Sequence, residues 1–234
     1  MSAALRLLPG SPGASIHGLG SAQPERVVSN HELSQRVDTN DEWIRKRVGI
    51  ANRRIAGPEQ SLLDLATEAG GKAIADAGLA PSDIDTVLIA TCTMPISIPH
   101  AAAQVAERIG ITAPGAYDLN AACAGFCYGL ATASDHVRGG SARHVLVIGA
   151  EKLSDRVDWD DRSTCVIFAD GAGAVVVGPS EQPAIGPVAW GSAGDLVEVI
   201  GTTERGFIYQ EGQAVFRWAT SQIAPVALRA IELA

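Results

Sequence analysis

The sequence predicts an α/β fold, and three features carry that expectation. Thr86–Thr91 and His144–Gly149 are continuous apolar runs of strand length, as strands covered on both faces require. Patterns with helical spacing separate such runs, giving a repeated strand–helix–strand order. The composition, 47% hydrophobic and 19% charged over 234 residues, is that of a globular chain with one large core or two small ones.

Taken in order, residues 1–14 read as a flexible leader, because Ala3–Leu8 is interrupted by Arg6 and closed by Pro9-Gly10. Ser15–Leu19 is the first expected strand. Asn30 is placed as the cap of a short helix running through Val37. Asn40 or Thr39 caps a second, Asp41–Arg47, whose acids come early and bases late, as the helix dipole favours. Ser61-Leu62-Leu63-Asp64 opens a longer helix that ends at Gly78. A strand at Thr86–Thr91, a helix opened by proline at Pro99–Ile109 and a strand at Ala116–Leu119 follow. An Ala-rich helix then runs from Ala124 to about Val137 and stops at Gly139-Gly140. His144–Gly149 is a strand, and Thr164–Val177 holds strand material broken at Asp170-Gly171. Ala184–Trp190 and Phe207–Gln210 are expected strands, and a final helix starts near Ala214 with Pro225 kinking or splitting it. The expected domains are a main one over residues 15–180 and the start of a second over 181–234.

The bulk properties exclude several function classes. A net charge of −8 argues against broad binding to nucleic acid or an anionic membrane. No apolar run approaches the roughly 18 residues that span a bilayer. The four cysteines lack a secretory context, which suits a reducing compartment, so the expected location is the cytoplasm. Cys123 and Cys127 lie four apart with no C-x-x-C pair or ligand-spaced histidine, and no metal site is expected.

Cys123 is the leading candidate for chemistry. It falls between a short buried strand and the N-terminus of the Ala-rich helix, with small residues filling the join. That is the layout of a nucleophile elbow, and unpaired N–H groups and the helix dipole there favour thiolate. The alternative is a small buried hydrophobe. Gly18-Leu19-Gly20 and Asp170-Gly171-Ala172-Gly173-Ala174 invite a nucleotide reading, but neither opens a helix as a phosphate loop must; both read as tight backbone turns. Arg45, Lys46, Arg47, Arg53 and Arg54 put five bases in ten residues. Trp43 shares a helix face with Arg47, a pairing suited to stacking on a purine and forking onto phosphate, as in coenzyme A. By itself the charge run reads equally as a solvated face. None of the five histidines sits where a catalytic imidazole is expected.

Asp38-Thr39-Asn40-Asp41-Glu42-Trp43-Ile44, Arg47-Val48-Gly49-Ile50 and Arg53-Arg54-Ile55-Ala56 together resemble the early signature of β-ketoacyl-acyl carrier protein synthase III. So do Ala121-Ala122-Cys123-Ala124-Gly125-Phe126, Asp161-Arg162 with Phe168-Ala169-Asp170-Gly171-Ala172-Gly173-Ala174, and Glu211-Gly212-Gln213-Ala214-Val215-Phe216. The resemblance implies a thiolase-like, layered α-β-α-β-α fold built from two similar halves, with the N-terminal half complete here and the C-terminal half truncated. It implies a homodimer and a condensing reaction. Cys123 accepts an acyl group from acyl-CoA, which is a substrate, and no cofactor is implied. Malonyl-acyl carrier protein then loses carbon dioxide, and its carbanion attacks the thioester. Trp43 and Arg162 resemble the pair that sandwiches the adenine of CoA, and Thr39 and Arg47 resemble further CoA contacts. Phe168 and Phe216 match apolar positions near the active-site passage. Ile98 matches a position shaping the acyl pocket, and as a non-aromatic residue it points to a larger or branched primer. A Pro-His-Gln-Ala-Asn loop and a second Asn, which in the family stabilise the carbanion, do not occur in these residues. The chain ends in mid-helix, so the expectation is a partial record of a longer enzyme, with a non-catalytic partner of the same fold, or an inactive fragment that keeps only the acyl-accepting cysteine, as the alternative.

Overall fold

The computed structural model describes residues 8–234. In chain order the elements are β1 (Gly13–Ala22), β2 (Val27–Ser29), α1 (Asn30–Ser34), α2 (Asp41–Val48), β3 (Asn52–Arg54), α3 (Leu62–Asp76), β4 (Thr86–Ala90), α4 (Ala101–Ile109), β5 (Gly115–Leu119), α5 (Gly125–Gly139), β6 (Val145–Lys152), β7 (Asp170–Ser180), β8 (Ile200–Thr202), β9 (Ile208–Gln210) and α6 (Gly212–Leu233). They form two compact units of interleaved segments. One comprises residues 8–23 with Pro58–Glu151 and Gly171–Ile185; the other comprises Pro24–Gly57, Lys152–Asp170 and Gly186–Ala234.

The first unit is built on a five-stranded sheet in the order β1-β7-β6-β4-β5. β4 runs parallel to both β5 and β6, and β1 antiparallel to β7. Successive side chains of a strand leave opposite faces, and here both faces are buried. Val87, Ile89, Leu146, Ile148, Ala174 and Val176 join the core beneath α3 and α4, whereas Leu88, Val145, Val147, Val175 and Val177 join the one beneath α5. That double burial is why residues 87–90 of β4 and 145–148 of β6 are apolar without a break rather than alternating. α3 opens with a capping box between Ser61 and Asp64. It lies so close to β1 that a Cβ on Gly20 would come within 2.1 Å of Ala69 O, and one on Gly18 within 2.4 Å of Ala73 O. The Gly18-Leu19-Gly20 pair is therefore a packing surface inside a strand, and not the turn expected from sequence. Of the expected leader, residues 1–7 lie outside the described residues. Ser11 N donates to Val137 O at 3.2 Å, and β1 starts at Gly13, ahead of the expected Ser15.

The second unit packs the β2–β3 hairpin, α1 and α2 around Val28, Leu33, Ile44, Ile55, Cys165 and Val166. Ser29, and not Asn30, caps α1, its Oγ accepting from Glu32 N; Asn30 is instead buried, and α1 ends at Ser34, short of Val37. Asn40 caps α2 by accepting from Trp43 N at 2.8 Å. Thr164–Ala169 forms no strand, and β7 starts at Asp170, where the sequence suggested a break. Ala184–Trp190 is likewise not a strand: Pro183 and Pro187 lack the N–H groups a ladder needs. β9 pairs antiparallel with β8. α6 continues through Pro225 instead of splitting there, and none of its residues is buried.

Candidate functional site

Cys123 sits where β5 hands over to α5. After Leu119 the chain turns through Asn120, whose Oδ1 accepts from Ala122 N at 3.2 Å. Ala122 then takes φ +45°, in the left-handed region, a conformation that costs an alanine about 1–2 kcal/mol. A 3-10 turn, Ala122–Ala124, carries Cys123 and leads into α5 at Gly125. The expected helix start at Ala124 thus moves one residue on. Cys123 is solvent-exposed, which removes the inert-hydrophobe alternative. An exposed cysteine on a strained strand-to-helix turn has the layout of a nucleophile elbow, an arrangement in which such strain has a use.

A second thiol accompanies it, which the sequence reading passed over. Ala90 and Leu119 pair in register at the C-terminal ends of the parallel strands β4 and β5, and Thr91 N extends the ladder to Leu119 O at 3.1 Å. Cys92 and Cys123 thus follow neighbouring strand ends. Glu151, near the end of β6, holds this edge together: its carboxylate accepts from Cys92 N at 2.8 Å, from Thr91 Oγ1 at 3.4 Å and from Thr93 Oγ1. Desolvation, followed by the Glu151 charge and hydrogen bond and by the neighbouring Cys123, pushes the Cys92 thiol up to about 12. Cys92 stays neutral at any physiological pH. Its only signal in the sequence was its place just past an apolar strand.

In the second unit three expected residues come together. The Arg162 guanidinium lies 4.9 Å from the Trp43 ring centroid and that of Arg47 lies 5.7 Å from it. Arg162 Nη1 also donates to Asp38 O at 2.8 Å. Trp43 is partly packed against the core while Arg47 and Arg162 are exposed. Thr39 Oγ1 is buried without a hydrogen-bond partner. The loop bearing Arg162 is braced by Asp161, which accepts from Ser163 N, Ser163 Oγ and Thr164 Oγ1, each at 2.8 Å. Desolvation opposes ionisation of Asp161, and these bonds outweigh it, leaving its pKa below the ordinary value.

Ile98, in the first unit, is 87% exposed beside the cis Ile98–Pro99 bond. Phe168, in the second, is half-buried against the core, and Phe216 on α6 is 69% exposed. The Asp170 carboxylate accepts from Ala56 N, Ser154 N and Ser154 Oγ, so the Asp170-Gly171 motif serves the fold. Three histidines face backbone carbonyls: His17 that of Pro179, His100 that of Ala116 and His144 that of Asp83. Among the described residues there is no cluster of three or more His, Cys, Asp or Glu able to hold a metal ion, and no helix is long and apolar enough to cross a membrane.

The family model for 3-oxoacyl-[acyl-carrier-protein] synthase III matches residues 117–194. The chain is 51% identical over 226 residues to β-ketoacyl-[acyl-carrier-protein] synthase III 4 of Streptomyces coelicolor, covering 94% of this chain and 71% of that protein. It is 46% identical over 237 residues to the β-ketoacyl-[acyl-carrier-protein] synthase III of Streptomyces glaucescens, covering 96% of this chain and 71% of that one. Among solved structures it is similar to the priming β-ketosynthase of the R1128 polyketide biosynthetic pathway, with a TM-score of 0.94 and 38% identity over 98% of this chain and 72% of that one. The 3-oxoacyl-[acyl-carrier-protein] synthase III of Aquifex aeolicus gives a TM-score of 0.89 at 40% identity, over 94% and 71%. The α/β architecture with its cysteine elbow is thus thiolase-like. Within that class, the chain belongs to the β-ketoacyl-acyl carrier protein synthase III family.

Proposed function

We propose that the chain is a condensing enzyme that loads an acyl group from acyl-CoA onto Cys123 and joins it to malonyl-acyl carrier protein, initiating fatty-acid or polyketide synthesis. The observation that carries this reading is the exposed Cys123 on the strained turn at Ala122. Its sulfur attacks the thioester carbonyl, the acyl–sulfur bond to CoA breaks, and CoA leaves as the thiol. In the second step malonyl-carrier protein loses carbon dioxide, the carbanion attacks the Cys123 thioester, and the cysteine is released as the β-ketoacyl product forms. A covalent thioester divides one hard condensation into two easier steps. Backbone N–H groups at the elbow suit the developing oxyanion. The histidine and asparagine donors that the resemblance implies for the carbanion have no counterpart in these residues; Cys123 is the residue assigned to acyl loading.

Trp43 and Arg162 are assigned to the adenine of CoA, with Thr39 and Arg47 as further contacts. A purine between the indole and the guanidinium needs about 7 Å, two layers at van der Waals distance. At 4.9 Å Arg162 occupies that place itself, so the base enters as Arg162 withdraws from the ring. Ile98, Phe168 and Phe216 are assigned to the acyl pocket and its approach, with no cofactor and no metal required. A homodimer fits the open edge that β5 presents at the end of its sheet, and the cytoplasm fits four free cysteines.

The test is intact mass after incubation with short and branched acyl-CoAs, for the wild type and Cys123→Ala, with peptide mapping to separate Cys92 and Cys127. One acyl adduct on Cys123, absent from the variant, is expected. A folded chain that takes up no acyl group from any acyl-CoA, or takes it up equally without Cys123, overturns the reading.

A further inference from the structure

A buried arginine behind α2 plays no part in the scheme above. Arg53 is 3% exposed, a rare state for a guanidinium, whose lost hydration is costly on burial unless the group is well paired. Its bonds go to neutral acceptors: Nη1 to Val28 O at 3.2 Å, Nη2 to Asn30 Oδ1 at 2.6 Å and Nη2 to Val166 O at 3.4 Å, while Nε is buried with no partner. Burial lowers its pKa from the ordinary arginine value, with Cys165 and Glu32 opposing the shift. An apolar side chain of similar volume would hold the same core at less cost, so stability alone does not account for Arg53.

The shortest of these bonds shows where the charge acts. Asn30 is 1% exposed and its amide is fully used. Oδ1 takes the Arg53 bond, while Nδ2 donates to Asp41 Oδ1 at 2.8 Å and to Ile50 O at 2.7 Å. Asp41 is the first residue of α2, and Ile50 follows Gly49, its left-handed C-cap. One buried amide thus holds both ends of the eight-residue helix, and Arg53 fixes which way that amide faces. If the amide flipped, its NH2 would meet the guanidinium and its oxygen the Asp41 carboxylate, so the charges permit one orientation only. Asp41 also binds Arg45 Nε at 2.9 and 2.7 Å. Its pKa is lowered by the Asn30 bond and then by Arg45, so it remains an acceptor. Trp43 and Arg47 ride on this helix.

We propose that Arg53 and Asn30 are positioning residues that, through Asp41 and Ile50, hold α2 so that Trp43 and Arg47 meet the nucleotide of acyl-CoA. The proposal rests on the assignment of α2 to the nucleotide. It predicts a loss confined to substrates that carry one, because the pair touches α2 and not the acyl-accepting cysteine.

The experiment measures acylation of Cys123, followed as thiol release, with acyl-CoA and with the same acyl group on pantetheine, which lacks the nucleotide. Arg53→Met, Arg53→Lys, Asp41→Ala and Trp43→Ala are compared with wild type. A sub-ångström shift of α2 is expected to raise KM for acyl-CoA roughly tenfold, since a 1 Å misplacement costs about a hundredfold. Acylation from acyl-pantetheine should stay within about twofold of wild type. Arg53→Lys, which keeps the charge on a single donor nitrogen and loses the planar fork, should recover part of the loss. Asp41 is exposed, so Asp41→Ala gives the answer should the Arg53 variants fail to fold. Equal losses on both thioesters, or no loss on either, overturn the positioning role. Trp43→Ala separates the two layers: if it leaves KM for acyl-CoA unchanged, the nucleotide assignment falls first.

Discussion

Replacing Asp170 by alanine should destabilise the protein by about 2–3 kcal/mol without altering any nucleotide affinity. Asp170 is 6% exposed. Its Oδ1 accepts from Ser154 N at 2.8 Å, and its Oδ2 accepts from Ala56 N and Ser154 Oγ, both at 2.7 Å. Alanine removes all three acceptors and supplies none. A buried donor left unpaired costs about 1–3 kcal/mol, and the full figure applies to Ala56, which is buried. Ser154 is only half-buried; its hydroxyl can rotate and its amide can reach water, so it adds less. Asp170→Asn keeps one oxygen but turns an NH2 toward a donor, and should lose about half as much. Urea unfolding followed by tryptophan fluorescence and by circular dichroism measures both, with coincident transitions as the check on two-state behaviour. An alanine variant within about 0.5 kcal/mol of wild type, the range of ordinary surface substitutions, would refute this account of the motif. So would unchanged stability with a weakened nucleotide affinity, as a phosphate loop would give.

Two further outcomes follow from the first unit. With its thiol pushed up to about 12, Cys92 has roughly one thiolate in ten thousand at pH 8, so its alkylation by iodoacetamide should climb about tenfold per pH unit through pH 10. A plateau below pH 10 in peptide-resolved labelling contradicts this; Glu151→Gln should lower the thiol, but not to the ordinary value, because desolvation is the larger cause. Gly20→Val drives a Cβ into the α3 backbone at 2.1 Å and should cost about 3 kcal/mol or more, a fall in Tm of roughly 6–12 °C for a chain of this size. Gly71→Ala, where a Cβ meets nothing within 4 Å, should instead raise Tm slightly, since alanine exceeds glycine in helix propensity by about 1 kcal/mol; calorimetry showing equal effects would refute the close-approach reading.

What was legible in the sequence follows from how local the cause is. β4 and β6 announced themselves because burial on both faces makes residues 87–90 and 145–148 apolar without a break. The Ser61–Asp64 cap and the Asn40 cap were legible because each is complete within four residues. The three-residue strands β2, β3 and β8 are too short to show a period. Asn30 misled because a residue that caps well also serves well as a buried amide, and its partner Arg53 lies 23 positions away. The approach of Arg162 to Trp43 spans 119 positions, beyond any periodicity; only the resemblance brought the two together. Asp170-Gly171 looked like a break because an acid and a glycine interrupt the apolar pattern, whereas that acid points inward to bind Ala56 and Ser154.

The same distinction explains why Cys123 could pass for a buried residue in the sequence and why it is exposed in the fold. Ala- and Gly-rich sequence around a cysteine usually means tight interior packing, and the packing here is tight. A Cβ on Gly125 would stand 3.1 Å from Ala90 Cβ, and one on Gly129 would stand 3.0 Å from both Leu88 Cδ2 and Val147 Cγ1. These small residues let the first turns of α5 press against β4 and β6. Because α5 begins so close to the sheet, the link from β5 has little length in which to turn, and Ala122 takes up the difference at φ +45°. The strain of about 1–2 kcal/mol is held by the burial of α5 beneath it, not by any local preference of the turn. Cys123 is the next residue, carried outward by the turn while Gly125, Gly129, Ala131 and Ala133 after it face inward. The composition that made the cysteine look buried is thus the composition that exposes it.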